Sequence, residues 1–73
     1  MKNKDLTKIL EKIFKKKIKS NQNLLEIDNF DSLKFIEMIS LIEIKIKKKI
    51  PNKLINEKNF KTMNSIISIL KKL

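Results

Sequence analysis

The chain has 73 residues, 18 of them lysine against 8 acidic residues, and a net charge of +10 at pH 7. It contains no cysteine and no histidine, which excludes disulfides, thiolate metal sites and a cysteine nucleophile, and removes the commonest general base and metal ligand. No catalytic residue and no metal site is expected, and so short a chain supports one modest core, hence a single domain over residues 1–73.

No apolar run approaches the roughly 20 residues that span a bilayer. The opening MKNKDLTKIL carries charges where a signal peptide is apolar, so the expected location is cytoplasmic, without a membrane span. The positive balance by itself points to nucleic acid or an anionic membrane surface. Composition supplies a simpler source: there is no Arg, Gly, Ala, Val or Trp, while Lys, Ile and Asn dominate, as strong A/T mutational bias would produce. Lacking the bidentate fork of arginine, the chain is poorly equipped for specific phosphate or base contacts, and no nucleic-acid partner is expected. Charge is also segregated: residues 1–19 carry +6, residues 45–73 carry +8, and the stretch between carries −4.

Leu6, Ile9, Leu10, Ile13, Phe14 and Ile18 recur at helical spacing, with Lys8, Lys12, Lys15 and Lys16 on the other faces. The pattern predicts a helix over about residues 4–18, ended by the polar cluster Ser20-Asn21-Gln22-Asn23. Residues 19–31 then form a long connection with apolar residues of its own; Leu25, Ile27 or Phe30 is expected to plug the end of a helical bundle.

Asp31 or Ser32 caps the next helix, because short oxygen-bearing side chains accept from its first free N–H groups. That helix should reach about Lys48, with Pro51 forbidding much more. It carries two apolar stripes. Phe35, Met38, Ile39, Ile42 and Ile46 have the spacing of a core face; Leu33, Ile36, Ser40 and Ile44 lie to one side, flanked by Glu37 and Glu43. The second stripe is either exposed to a partner or packed on the long connection. The alternation in IEIKIKKKI is not read as a strand, since no second strand exists to pair with it.

Residues 51–61 hold Leu54, Ile55 and Phe60 without sustained period, with room for one short helical turn around Glu57–Phe60. Thr62 caps a last helix whose stripe is Met63, Ile66, Ile67, Leu70 and Leu73. The expected fold is all-α: a small three- to four-helix bundle with a long loop between the first two helices.

Asp31-Ser32-Leu33 at a loop-to-helix junction, the continuation EMISLIE, Ile50-Pro51 closing that helix, and Phe60-Lys61-Thr62-Met63 opening the last one together resemble the acyl carrier protein family over essentially the whole chain. The resemblance implies a stand-alone carrier, not an enzyme, with a 4′-phosphopantetheine arm on Ser32 holding acyl or aminoacyl groups as thioesters. A phosphopantetheinyl transferase would install the arm; a loading ligase and downstream biosynthetic enzymes, of fatty acid synthesis for example, would use a monomeric carrier. It further implies that Asp31, Leu33, Ile36, Glu37 and Glu43 face those partners. Two departures stand out: ordinary fatty-acid carriers are strongly acidic, and they carry Gly where this chain has Asn29-Phe30. Asn tolerates positive φ well enough to keep the turn. Read without the resemblance, Ser32 is a plain helix cap, and Glu37 and Glu43 are solvated charges offsetting Lys34 and Lys47. The alternative function is a basic helical module binding nucleic acid or an anionic membrane surface through Lys15, Lys16, Lys17 and the cluster at residues 45–49.

Overall fold

The computed structural model describes residues 1–73: three α-helices, α1 (Asn3–Phe14), α2 (Ser32–Ile46) and α3 (Met63–Leu70), with short 3-10 turns at Leu24–Glu26 and Asn52–Leu54 and no strand. α1 packs against both α2 and α3. Each helix contributes one stripe to a common core: Leu6, Leu10, Ile13 and Phe14 from α1; Met38, Ile39 and Ile42 from α2; Met63, Ile66, Ile69 and Leu70 from α3. The connections supply the remainder, Ile18, Leu24, Ile27, Ile50 and Phe60. Side chains from loops thus complete a core that three short helices cannot fill alone.

The expected all-α bundle is the fold observed, with differences at its boundaries. α1 stops at Phe14, four residues before the periodicity runs out. Lys15 adopts a left-handed conformation with φ 57°, and its N–H donates to the Glu11 carbonyl at 2.8 Å. The chain then turns back so that Ile18, the last member of the periodic stripe, still enters the core from outside the helix. α2 ends the same way. Lys47 has φ 60°, and its N–H donates to the Glu43 carbonyl at 2.8 Å.

These two ends are one device used twice. EKIFKKKI (residues 11–18) and EIKIKKKI (residues 43–50) share Glu at the first position and Lys-Lys-Lys-Ile at the last four. In each, the fifth residue is the left-handed lysine and the eighth is a buried isoleucine. In each, the glutamate carboxylate accepts the isoleucine N–H, at 3.4 Å from Ile18 and 2.7 Å from Ile50. A chain without glycine cannot end helices with the residue that enters left-handed space freely. It uses lysine there instead, at a conformational cost of about 1–2 kcal/mol for each.

The long connection is pinned, not loose. Its backbone is tied to the start of α3 by Leu24 N–H to the Lys61 carbonyl at 2.7 Å and by Asn64 N–H to the Ser20 carbonyl at 3.1 Å. Leu24 is fully buried and Ile27 nearly so, while Leu25 and Phe30 are half-buried. Of the three expected plugs, Ile27 fills that role; Leu24, which the periodicity did not single out, is buried deepest.

One helical turn closes at Glu57–Phe60 as expected, with Phe60 N–H donating to the Asn56 carbonyl at 3.1 Å, and a 3-10 turn that was not expected lies earlier, after Pro51. Thr62 caps α3 as expected, in a reciprocal pair: its Oγ1 accepts from Ser65 N–H and Ser65 Oγ accepts from Thr62 N–H, both at 3.0 Å. α3 buries Ile69 in preference to Ile67, which is only partly covered. Ile67 and Ile69 lie about 200° apart around the helix, on opposite flanks of the stripe, and the core takes the Ile69 flank.

Candidate functional site

The N-terminus of α2 is built by a short left-handed step followed by a cap. Asn29 takes φ 68°, the positive value that asparagine accepts more readily than most residues. Phe30 N–H then donates to the Ile27 carbonyl at 3.1 Å, turning the chain so that Asp31 arrives extended, with φ −148°. Its Oδ1 accepts from Lys34 N–H at 2.9 Å, and its carbonyl accepts from Phe35 N–H at 3.0 Å. Asp31 is therefore the cap, and Ser32 is the first residue of the helix. Ser32 is exposed. Because Asp31 performs the capping, the Ser32 hydroxyl has no structural duty. The N–H groups of Ser32 and Leu33 also lie beyond the helical ladder, at the positive end of the helix dipole, where an anion is favoured.

Beside Ser32 lies an open groove of about 540 Å³, lined by Leu25, Phe30, Phe35, Ile36 and Ile55 together with Asp31, Asn56 and Glu57. A row of aromatic rings runs beneath it. All four phenylalanines form one chain of contacts: Phe14 stacks on Phe30 at 6.0 Å between centroids, and Phe35 meets Phe30 and Phe60 edge-on at 6.2 and 5.7 Å. Each such pair contributes about 0.5–1.5 kcal/mol beyond its burial. Phe30 and Phe35, half-buried, pack against the core and line the groove beside Ser32.

No group of three or more carboxylates that could hold a metal ion is present, and no helix is long and apolar enough to cross a membrane. No protein-family model and no curated protein sequence matches the chain. Among solved structures, a candidate acyl carrier protein from Mycobacterium tuberculosis matches over 94% of this chain and 93% of its own, with a TM-score of 0.77 and 22% sequence identity. The chain has the acyl carrier protein fold.

Within that fold the residues singled out from the sequence fall into three groups. Asp31, Ser32 and Ile36 line the groove together. Leu33 and Glu37 project from α2 into solvent; Leu33 is 76% and Ile36 59% exposed. Together with Ile44, 71% exposed, they settle the position of the second apolar stripe: it does not pack on the long connection. Glu43 stands apart. Only 17% of its side chain is exposed, and its carboxylate is committed to Ile50 N–H and to the Lys49 ammonium at 3.7 Å. It lies near the far end of α2, in a hollow with Lys47, Lys48 and Lys49.

Sequence reasoning did not find the far wall of the groove, Ile55, Asn56 and Glu57, nor the contribution of Leu25 to it. The available signal was the unpaired apolar pair Leu54-Ile55, both partly buried against the core. Asn59 reinforces that wall by donating from Nδ2 to the Leu54 carbonyl at 2.9 Å, while its own N–H donates to Asn56 Oδ1 at 2.9 Å.

Proposed function

We propose that this protein is a carrier, holding acyl or aminoacyl groups on a 4′-phosphopantetheine arm attached through a phosphodiester to Ser32. The observation that carries the reading is the exposed serine at the first position of α2, relieved of capping by Asp31 and bordering an apolar groove in an acyl carrier fold. The arm supplies a terminal thiol that binds the cargo as a thioester, which is how a chain without cysteine or histidine serves thiol chemistry.

The residues present fit such a group. Ser32 offers an unencumbered hydroxyl to a transferase using coenzyme A. The Ser32 and Leu33 N–H groups and the dipole end would stabilise the phosphodiester anion. Phe30, Phe35, Ile36 and Ile55 offer apolar surface to the arm and to short cargo. Leu33, Ile36 and Glu37, exposed beside Ser32, would meet the enzymes that load and unload it. Glu43 contributes through the fold, by holding Ile50. Cytoplasmic partners in a biosynthetic pathway, a loading ligase among them, complete the proposal.

The test is the intact mass of the protein after incubation with coenzyme A and a phosphopantetheinyl transferase. Wild type should gain the mass of one arm and Ser32→Ala none. No gain in wild type, or an equal gain in Ser32→Ala, would overturn the assignment.

A further inference from the structure

The second half of α2 has a surface unlike the first, and α1 contributes to it. Ile44 protrudes between two shallow hollows and lines both. One, about 250 Å³, is bounded by Lys8, Ile9 and Lys12 of α1 with Leu41 and Lys45 of α2. The other, about 480 Å³, is bounded by Ser40, Glu43, Lys47, Lys48 and Lys49. Six lysines thus surround a protruding isoleucine and a seam formed by Ile9 and Leu41. Two of the six are paired, Lys45 with Asp5 at 3.8 Å and Lys49 with Glu43 at 3.7 Å. Lys8, Lys12, Lys47 and Lys48 form no ion pair, so the patch keeps a net positive charge around an apolar centre.

We propose that this patch docks the protein on an anionic membrane surface, with Ile44 entering the interface and the lysines meeting lipid headgroups. Charge complementarity selects a negative partner, and the exposed aliphatic centre selects one with apolar depth behind its charge. Lysine without arginine suits diffuse attraction to a charged surface better than the paired, directional contacts of an acidic protein groove or of nucleic acid. At 1.5 Å per residue, Ile44 lies about 18 Å along α2 from Ser32, so docking leaves the serine end available. The docking does not depend on what Ser32 carries, and Ser32→Ala should bind vesicles like wild type.

The experiment is co-sedimentation of the full chain with vesicles of phosphatidylcholine alone or mixed equally with phosphatidylglycerol, at low and at raised salt. Binding should require phosphatidylglycerol and weaken as salt rises. Neutralising Lys8, Lys12 and Lys45 to Gln should weaken it on the order of 100-fold, since each lysine near such a surface contributes about fivefold. Ile44→Ser, at an exposed position, should weaken it about tenfold. The same number of neutralisations at Lys53, Lys58 and Lys61 serves as the control and should have a much smaller effect. Because the chain has no tryptophan, Ile44→Trp adds a unique reporter whose emission should shift to the blue on anionic vesicles, while Leu33→Trp should not. Equal losses from both lysine triples, an unmoved Ile44→Trp emission, or tighter binding to duplex DNA or polyglutamate than to these vesicles would overturn the proposal.

Discussion

The two ends of α2 are made of similar materials and do opposite things. At the N-terminus, Asp31 satisfies the backbone with one bond to Lys34 N–H, and the neighbouring Ser32 is left exposed beside a groove. At the C-terminus, the Glu43 carboxylate bends back over a left-handed lysine, seizes Ile50 N–H at 2.7 Å, and seats a buried isoleucine. One end is open and the other is locked. A carboxylate near a helix terminus can therefore prepare a site or close a chain, and the path of the neighbouring backbone decides which.

Breaking the locked end should have the largest effect. Ile50→Ala removes an almost fully buried side chain and should cost about 2–5 kcal/mol, read as a lower denaturation midpoint in urea at unchanged slope. Glu43→Ala leaves Ile50 N–H without its acceptor and should cost about 1.5–3 kcal/mol, the exposed ion pair to Lys49 adding little. Glu43→Gln, which keeps an acceptor, should recover part of the loss. The paired change Glu11→Ala should cost less than Glu43→Ala, because its bond to Ile18 N–H is 3.4 Å long and carries no lysine.

At the open end, Asp31→Ala should cost about 1 kcal/mol, the usual value of a helix cap. Against it, Lys47→Gly should stabilise by about 1 kcal/mol, since glycine enters the left-handed conformation without the penalty lysine bears. A thermal shift of about 4–8 °C per kcal/mol would report both in a domain of this size. Leu33→Ala and Ser32→Ala should be nearly silent in stability, both positions being exposed. A large thermal effect from either would mean that the open end is not open.

Much of this contrast was legible in the sequence. The helical period of the core face of α2 predicted Met38, Ile39 and Ile42 as core, and Thr62 announced itself as a cap, because such features depend on neighbours three or four residues away. The end of α1 was not legible. Its stop is set by the Glu11 side chain and by burial of Ile18 beyond a left-handed lysine, where no glycine marks the break. The acceptor role of Glu43 was not legible for the same reason: it exists only once the chain has reversed after Lys47. The groove by Ser32 was half legible. Phe30 was expected as a plug and Phe35 as part of the core face, and both are apolar as the groove needs, but the wall from Ile55 to Glu57 is brought there by tertiary packing alone.

If the open end carries the chemistry, a single peptide reports it. Tryptic cleavage after Lys19 and Lys34 yields SNQNLLEIDNFDSLK, which holds both Ser20 and Ser32. After reaction with coenzyme A and a phosphopantetheinyl transferase, its fragment ions should place the whole added mass on Ser32. Added mass on Ser20, on Ser40 of the next segment, or on no serine would contradict the account.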